Sequence, residues 1–316
     1  MGKQIRYYVH GHTGKGFIDL LPSNLEQINQ IVLIENKNKK VVTALLETIL
    51  TLLNEEDIEI IQSTLSKDLI DGIIIRNKSL AIIHESLYQA NDNGKNIQRV
   101  TIPVDEDEDY FSLKDHQKIY DEAYNYFKKG LSIHDQLEKV YISKMDFNKA
   151  NKVIEQLLQQ LFKDVEKKKE KAILYERLFG TNTPDGIVNT VLNLIEPIEK
   201  KIFILGRAGT GKSYVMNQVL NKCIELGIDV EVYRCSLDPN SIDMLIIREL
   251  NVCLHDNTAP HTIAVNDPSI QIIDMYKETV DQQVEKEYGE RIKILQKKYK
   301  EQMQLGLKVL KSLNSN

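Results

Sequence analysis

Apolar residues along the chain follow two patterns, and each pattern occurs in both halves. Short continuous apolar runs, such as residues 202–205, are typical of strands buried on both faces of a sheet. Residues 111–175 and 270–313 instead place an apolar residue every three or four positions among many Lys and Glu residues, which is typical of amphipathic helices. The alternation predicts an α/β protein in which a long helical stretch follows each group of strands.

The strongest local pattern lies in residues 200–213, which read KKIFILGRAGTGKS. A strand-length apolar run leads into G-x-x-x-x-G-K-S, and a helical pattern follows. The apolar face of that helix contains Val215, Met216, Val219, Leu220, Cys223 and Ile224. Strand, glycine-rich loop and helix come in the order that a phosphate-binding P-loop requires. The alternative is a plain strand-to-helix turn of the same composition.

Each position of this motif has a chemical reason. Glycines let backbone N–H groups turn towards an anion, and the start of the next helix presents free N–H groups to the same anion. Lys212 would reach the β- and γ-phosphates of ATP, and the Ser213 hydroxyl would bind Mg²⁺. Arg207 would point either to the phosphates or to solvent. The predicted nucleotide-binding loop consists of Gly206, Arg207, Ala208, Gly209, Thr210 and Gly211.

The chain also contains an internal repeat. Residues 229–248 align without a gap with residues 57–76, and upstream residues 201–205 align with residues 30–34. We therefore predict a duplicated, mostly parallel α/β fold of the P-loop NTPase type. Its predicted parts are a degenerate α/β domain (1–110), a helical extension (111–175), an active P-loop domain (176–269) and a C-terminal helical extension (270–316).

The two copies differ where the chemistry would be. Opposite the glycine-rich loop, the alignment places residues 35–42, which contain no glycine. It puts Val41 in the position of the lysine and Val42 in the position of the serine. The first copy is therefore predicted to bind no nucleotide by this route.

Comparison of the copies also sorts the remaining polar residues. Features of both copies are assigned to the fold, and features of the second copy alone are candidates for chemistry. The first group contains Asp71 with Asp243 and Arg76 with Arg248, and the second contains the P-loop, Asp238, Asp256 and His261.

A P-loop site needs a carboxylate at the end of a second buried strand to hold Mg²⁺. Residues 251–256 follow a helix-like stretch, 241–250, and end in our candidate, Asp256, with a turn aspartate as the alternative. The next residue, Asn257, stands where many motor-type ATPases have a general-base Glu. Asp238 follows the strand at 230–235 and could orient a water or accept a proton from a substrate hydroxyl. Alternatively, Asp238 caps a helix that starts at Pro239.

Three further features of the sequence give weaker indications of structure and function. Residues 11–16 contain a Gly-Lys pair but lack the rest of a P-loop, so we predict a turn there that lies near the site. The apolar stripe of the C-terminal stretch predicts a helix folded back on the core or on a partner copy, with a coiled-coil dimer as the sharper alternative. The first copy could also supply an arginine in trans to the working site, although the sequence selects none.

Composition narrows the classes of partner. The net charge of -5 and the pI near 5.9 provide no basic surface for a nucleic-acid backbone. Three cysteines without a CxxC pair argue against a disulfide scaffold and a cysteine zinc site. The longest apolar stretch, 41–53, is too short for a membrane span and contains Glu47. The opening residues lack the apolar stretch of a secretory signal, and we expect a cytoplasmic protein with neither nucleic-acid nor membrane partners.

The chain resembles a family of poorly characterised bacterial tandem P-loop ATPases, predicted nucleotide-binding proteins with two similar halves. The segments that carry the resemblance are FILGRAGTGKS (203–213), DVEVYRCSLDPNSIDM (229–244), DNTAPH (256–261) and YYVHGHTGKGF (7–17). The resemblance implies ATP binding and a doubly wound P-loop fold. In that family both halves usually carry a glycine-rich P-loop, and this chain departs from the family in its first half.

The leading hypothesis is an Mg-ATP-binding ATP hydrolase with a single working site in the second half. Lys212, Asp256 and Asp238 are its candidate catalytic residues, and Ser213 with Asp256 would bind Mg²⁺. One alternative is a small-molecule or nucleotide kinase, which would need a small-molecule acceptor. The other is a non-enzymatic ATP-sensing module that changes a homo-oligomer or binds a protein partner.

Overall fold

The computed structural model describes residues 2–89, 94–103, 116–259, 262–264 and 267–315. These residues form an α/β fold with two mixed six-stranded sheets, as the apolar pattern predicts. The elements of the first half are β1 (Gln4–Tyr7), β2 (His10–Thr13), β3 (Gly16–Asp19), α1 (Leu21–Leu25), β4 (Gln30–Glu35), α2 (Lys39–Leu52), β5 (Ile58–Gln62), β6 (Ile70–Ile75), β7 (Leu80–His84) and β8 (Asn96–Thr101).

Two long helices connect the halves, and two more helices close the chain. The connecting helices are α3 (Gln117–Ile142) and α4 (Phe147–Phe162). The second half then contains β9 (Leu174–Arg177), β10 (Gly180–Thr183), β11 (Gly186–Asn189), α5 (Val191–Ile195), β12 (Lys200–Leu205), α6 (Lys212–Leu226), β13 (Val230–Arg234), β14 (Ile242–Ile247), β15 (Val252–Asp256) and β16 (Gln271–Asp274). The closing helices are α7 (Met275–Thr279) and α8 (Val284–Lys311).

The two large sheets have the same strand order. It is β1-β5-β6-β7-β4-β8 in the first half and β9-β13-β14-β15-β12-β16 in the second. In each sheet one strand, β6 or β14, runs antiparallel to both of its neighbours, and all other pairs are parallel. The repeat in the sequence is therefore a repeat of topology. Because β12, β15 and β16 are parallel neighbours, the loops that follow them lie at one edge of the second sheet.

The two halves are joined through their edge strands and through a common core. Tyr8 and Leu178 exchange two backbone hydrogen bonds of 2.8 Å at the ends of β1 and β9. One cluster of buried apolar residues draws members from both halves, among them Leu33 and Phe203. The chain thus buries apolar surface between its halves as well as within each of them.

Helices α3 and α8 form an antiparallel pair. Phe127 of α3 contacts Gly306 of α8, and Gly130 of α3 contacts Met303. The predicted apolar stripe of the C-terminal stretch is largely buried, since Val284, Ile292, Leu295 and Leu310 are all inside. Helix α8 is therefore folded back on its own chain. None of the helices within the described residues has both the length and the apolar character that a membrane span needs.

Two predicted elements differ from the structure. Residues 241–250, predicted as helix-like, form β14 and a short 3₁₀ turn, because the periodicity of a short continuous apolar run does not distinguish strand from helix. The start of the stretch at 270–313 is not helical but forms β16, which completes the second sheet beside β12. The apolar face of α6 also differs at one position. Ile224, which was predicted to lie on that face, is 45% exposed, and Leu226 is buried instead.

Candidate functional site

The glycine loop (residues 206–211) connects β12 to α6 at the edge where the parallel strands end. Gly209 and Gly211 have positive φ values of 71° and 86°, a backbone conformation that favours glycine. A Cβ added at Gly206 would lie 2.3 Å from Oγ1 of Thr210 and 3.2 Å from Cδ of Lys212. The loop therefore forms a tight cradle that a side chain at Gly206 would fill.

Lys212 is the first residue of α6, and its ammonium lies across the glycine loop. It donates a hydrogen bond of 2.6 Å to the carbonyl of Arg207 and lies 3.7 Å from Oδ2 of Asp256. The side chains of Lys212 and Asp256 are only 10% and 14% exposed. Asp256 comes this close because β12 and β15 are parallel and pair Ile204 with Asp256. The structure thus brings together the two charged residues that the sequence selects.

Thr258 lies beside Asp256, and Ser213 lies next to Lys212 at the start of α6. Ser213 follows Lys212 in the first turn of α6 and is half-buried. The Thr258 hydroxyl donates a hydrogen bond of 2.6 Å to Oδ1 of Asp256. Asp256 therefore ends a buried strand with Oδ2 near the Lys212 ammonium and Oδ1 accepting a hydrogen bond, and its carboxylate is a ligand type that hard divalent cations prefer.

Asp243 is a second carboxylate in the site, and the comparison of the copies had assigned it to the fold. It lies on β14, next to β15, where Met244 pairs with His255. Burial, followed by the charge of Asp256, raises the pKa of Asp243 to about 7, although a hydrogen bond with Cys235 and the charge of Lys212 oppose the rise. A carboxyl with this pKa exchanges its proton near neutral pH, which suits acid–base chemistry.

The Asp238 loop (residues 235–241) connects β13 to β14 and contains no helix, so the helix-cap interpretation of Asp238 is wrong. Oδ1 of Asp238 accepts a hydrogen bond of 3.0 Å from the backbone N–H of Asn240, which makes an Asx turn. The same oxygen lies 2.6 Å from the ammonium of Lys15, a residue of the first half. The turn at residues 11–16 therefore does lie beside the site.

The Arg207 side chain is 51% exposed to solvent, one of its two predicted surroundings, and it also contacts the helices beside the glycine loop. Its guanidinium lies 3.8 Å from Glu285 of α8 and over the ring of Tyr276 of α7, 5.3 Å from the ring centre. Glu285 also accepts hydrogen bonds from the hydroxyls of Tyr141 and Tyr276. The side chain of Arg207 is thus tied to the helices that cover the loop.

The end of α3 and the residues after it pack directly on the glycine loop. A Cβ at Gly209 would lie 2.4 Å from the carbonyl oxygen of Glu138, and one at Gly211 would lie 2.5 Å from Cε of Met145. Next to this contact is a cleft of about 370 Å³, whose lining includes Arg207. The sequence pattern predicts these helices but not that they cover the loop.

The corresponding place in the first half is closed by its own side chains. Lys39 starts α2 as Lys212 starts α6, and its ammonium lies 2.5 Å from Asp71 and 3.2 Å from the Ser86 hydroxyl. His84 ends β7 in the position of Asp256, and its Nε2 lies 2.8 Å from the carbonyl oxygen of Asn36. Burial lowers the pKa of His84, and the nearby charge of Lys39 lowers it further.

This geometry corrects the alignment of the two loops. The structural equivalent of Lys212 is Lys39, whereas the alignment had placed Val41 there and Val42 at the position of Ser213. Upstream, Gln30 pairs with Leu80 as Lys200 pairs with Val252, so β4 was aligned one residue out of register. The cause is the loop itself, because the first half has only residues 36–38 where the second has residues 206–211.

Asp243 and Lys15 also belong to this region, but the sequence contains no signal for Asp243 and only a weak one for Lys15. Asp243 was hidden because its counterpart Asp71 shares the same position beside a helix-starting lysine. Lys15 was noticed only as part of a Gly-Lys turn, although its contact with Asp238 joins the halves at the site. The remaining candidate, His261, lies outside the described residues. Comparison of the chain with protein-family models, with curated proteins and with solved structures yields no match.

Proposed function

We propose that this protein binds Mg-ATP and hydrolyses it at a single site in the second half. The observation that carries the proposal is the position of Lys212. Its ammonium lies across a cradle of glycine-rich backbone and 3.7 Å from the Asp256 carboxylate, at the ends of adjacent parallel strands. A glycine-rich loop, a helix start and a lysine together favour a polyphosphate as the ligand.

Each group in the site has a task in this reaction. The amides of the glycine loop hold the phosphate oxygens, and Lys212 exchanges its bond to the Arg207 carbonyl for the terminal phosphates. Ser213 and Asp256 hold Mg²⁺, which when bound would offset negative charge between the phosphates. Asp238 and Asp243 are the carboxylates available to orient water or take its proton.

The residue after Asp256 does not supply the base. The Asn257 side chain is buried, and it both donates to and accepts from the backbone of Ile263, at 3.1 and 2.6 Å. Its role is to fold the loop that follows β15. Proton transfer therefore falls to Asp243, whose raised pKa fits that task, or to Asp238 at the rim.

Titration calorimetry and thermal unfolding test the proposal directly. Calorimetry with Mg-ATP should find about one site per chain. Ligand at 100 times its dissociation constant adds about 2.7 kcal/mol, which raises Tm by about 5–10 °C for a cooperative unit of about 150–250 residues and by less for a larger one. Lys212→Ala should lose most of this shift, because it removes the ammonium that lies across the glycine loop.

The matched control is Lys39→Ala, which removes the equivalent lysine of the first half. It should lower Tm, because the Lys39 ammonium binds the Ser86 hydroxyl and the carboxylate of Asp71, which is buried. The increase in Tm on adding Mg-ATP should remain. Two sites per chain, no binding, or equal loss of the shift in both variants would contradict a single site in the second half.

A kinase is the second candidate, favoured by the cleft beside Arg207, which has room for a small acceptor. A screen for phosphoryl transfer from ATP to nucleosides and sugars separates the two activities. Transfer to an acceptor at a rate above hydrolysis would favour the kinase. ATP binding without turnover would favour an ATP-sensing module and argue against both enzymes.

A further inference from the structure

Each half of the chain extends a hairpin turn to the loop that borders the other half's site. The turn between β2 and β3 brings Lys15 to Asp238, at 2.6 Å. The turn between β10 and β11 brings Asp185 to the equivalent first-half loop. There its Oδ2 accepts hydrogen bonds of 2.8 Å from the Ser66 hydroxyl and 3.0 Å from the Lys67 backbone. The exchange is reciprocal, but only the second half, which Lys15 contacts through the Asp238 loop, contains a glycine loop.

The turn that carries Lys15 is held rigidly against the second half. The backbone N–H of Gly14 donates a hydrogen bond of 2.9 Å to the carbonyl of Leu237. A Cβ at Gly14 would lie 2.9 Å from the same oxygen, so the close approach depends on glycine. Within the turn, the hydroxyl of Thr13 donates to the carbonyl of Gly16 and accepts from the N–H of Lys15.

The charges around the site indicate why the contact between Lys15 and Asp238 matters. The charges of Asp256 and Asp238 both act on Asp243, and Lys212 acts on Asp243 and lies 3.7 Å from Asp256. A triphosphate adds further negative charge to this cluster. The Lys15 ammonium, 39% exposed at the rim, is the positive charge that the first half contributes there.

We propose that Lys15 is a positioning residue of the second-half site, supplied across the interface by the half that has lost its own glycine loop. It fixes the Asp238 carboxylate at the edge of the site, where that carboxylate can orient the attacking water. The inference rests on the proposed ATP hydrolysis. It also means that the first half takes part in catalysis although it binds no nucleotide itself.

The test measures single-turnover hydrolysis of Mg-ATP and the dissociation constant of ATP in four variants. Lys15→Met should slow hydrolysis about tenfold through misplacement of Asp238 and change the dissociation constant less than about twofold. Lys15→Arg should restore most of the rate, because it keeps the charge. Lys15→Met combined with Asp238→Asn should be no slower than Asp238→Asn alone, since the two residues act as a unit.

The matched control is Asp185→Asn, which weakens the symmetry-related contact with Ser66 and Lys67 and should leave the hydrolysis rate unchanged. If Lys15→Met hydrolyses ATP as fast as the unaltered protein, or if Asp185→Asn slows it equally, the role of Lys15 is refuted while ATP hydrolysis stands. If the unaltered protein neither binds nor hydrolyses ATP, the proposed function falls, and this inference falls with it.

Discussion

At the scale of single residues, Asp243 shows how burial changes the acidity of a carboxyl. Its pKa rises to about 7 because the charged form is poorly solvated and because Asp256 lies beside it. An ordinary aspartate would be ionised throughout the neutral range and would bind a proton too weakly to serve as a base there. The raised pKa of Asp243 also affects the free energy of unfolding of the protein.

The stability should therefore fall as the pH rises from about 4 to about 7. In this range the folded protein keeps a proton on Asp243 that the unfolded chain releases, so rising pH favours unfolding. Asp243→Asn should remove this fall and stabilise the protein at pH 8 by about 1–4 kcal/mol, at about 1.4 kcal/mol per pKa unit. Urea unfolding at a series of pH values measures both effects.

A control with the opposite sign is available on the surface. Hydrogen bonds, led by the one from the Lys67 backbone, lower the pKa of Asp185, so its contribution to stability is lost as the pH falls through that lowered pKa. Asp185→Asn should change only the acid end of the profile. A profile of Asp243→Asn that matches the unaltered protein between pH 4 and 7 would contradict the assignment.

The sequence predicts the residues of this site only in part, and the division has a physical cause. Lys212 and Asp256 follow buried strands, and their meaning comes from local spacing, so a motif identifies them. Asp243 and Lys15 act through neighbours in space, Asp243 across two strands and Lys15 across the two halves. A single sequence contains no local pattern for such contacts.

At the scale of elements, the glycine loop and α3 fit each other closely. The sequence predicts β12, the loop and α6 well, because apolar runs and glycines are local signals. It misassigns β14 as helix, and it does not place α3 on the loop. The packing of Gly209 against the backbone of Glu138 therefore emerges only from the tertiary structure.

Substitution of Gly209 should test this contact. Gly209→Ala places a Cβ 2.4 Å from the carbonyl oxygen of Glu138 and forces a non-glycine residue into φ 71°. We expect a loss of stability of about 1–3 kcal/mol and weaker ATP binding, because the loop must shift away from α3. Thermal unfolding with and without Mg-ATP measures both quantities.

Gly289→Ala is the control, because Gly289 lies within α8 and a Cβ there would meet no atom within 4 Å. It should stabilise the protein by about 0.5–1 kcal/mol through helix propensity and leave ATP binding unchanged. Equal effects of the two substitutions would show that the contact between the loop and α3 has no special importance.

At the scale of the whole molecule, a buried arginine links the two sheets. Arg177 at the end of β9 is inaccessible to solvent and lies 2.8 Å from Glu59 of the first half and 3.2 Å from Glu231 of the second. Each glutamate is also bound by an arginine of its own half, Arg76 or Arg248. The comparison of the two copies assigned Arg76 and Arg248 to the fold, and in the structure each of them binds a buried glutamate.

Loss of Arg177 should destabilise both halves together. Arg177→Met leaves Glu59 and Glu231 buried with less compensation, and such losses cost about 3–5 kcal/mol. Urea unfolding followed by circular dichroism should show one transition, shifted to lower urea. Arg234→Ala removes a partly exposed pair with Glu176 and should cost less than about 1 kcal/mol. A similar cost for both would contradict the role of Arg177.

The same substitution should change acid sensitivity. Burial alone would raise the pKa of Glu59, but Arg177, followed by the bonds from Arg76, outweighs burial and lowers it to about 2. The stabilisation from this carboxylate is present above the ordinary pKa of glutamate and is lost as the pH falls towards 2. Without Arg177, acid unfolding should therefore begin at a higher pH.

The core that spans both halves restricts how the gene could be shortened. If either half were produced alone, it would expose the apolar side chains that now meet across the joint, and the fragment would be prone to aggregate. The first half, whose corresponding loop is only residues 36–38, therefore cannot be deleted without loss of this shared core. Its contribution to the shared core is reason enough to keep both copies on one polypeptide.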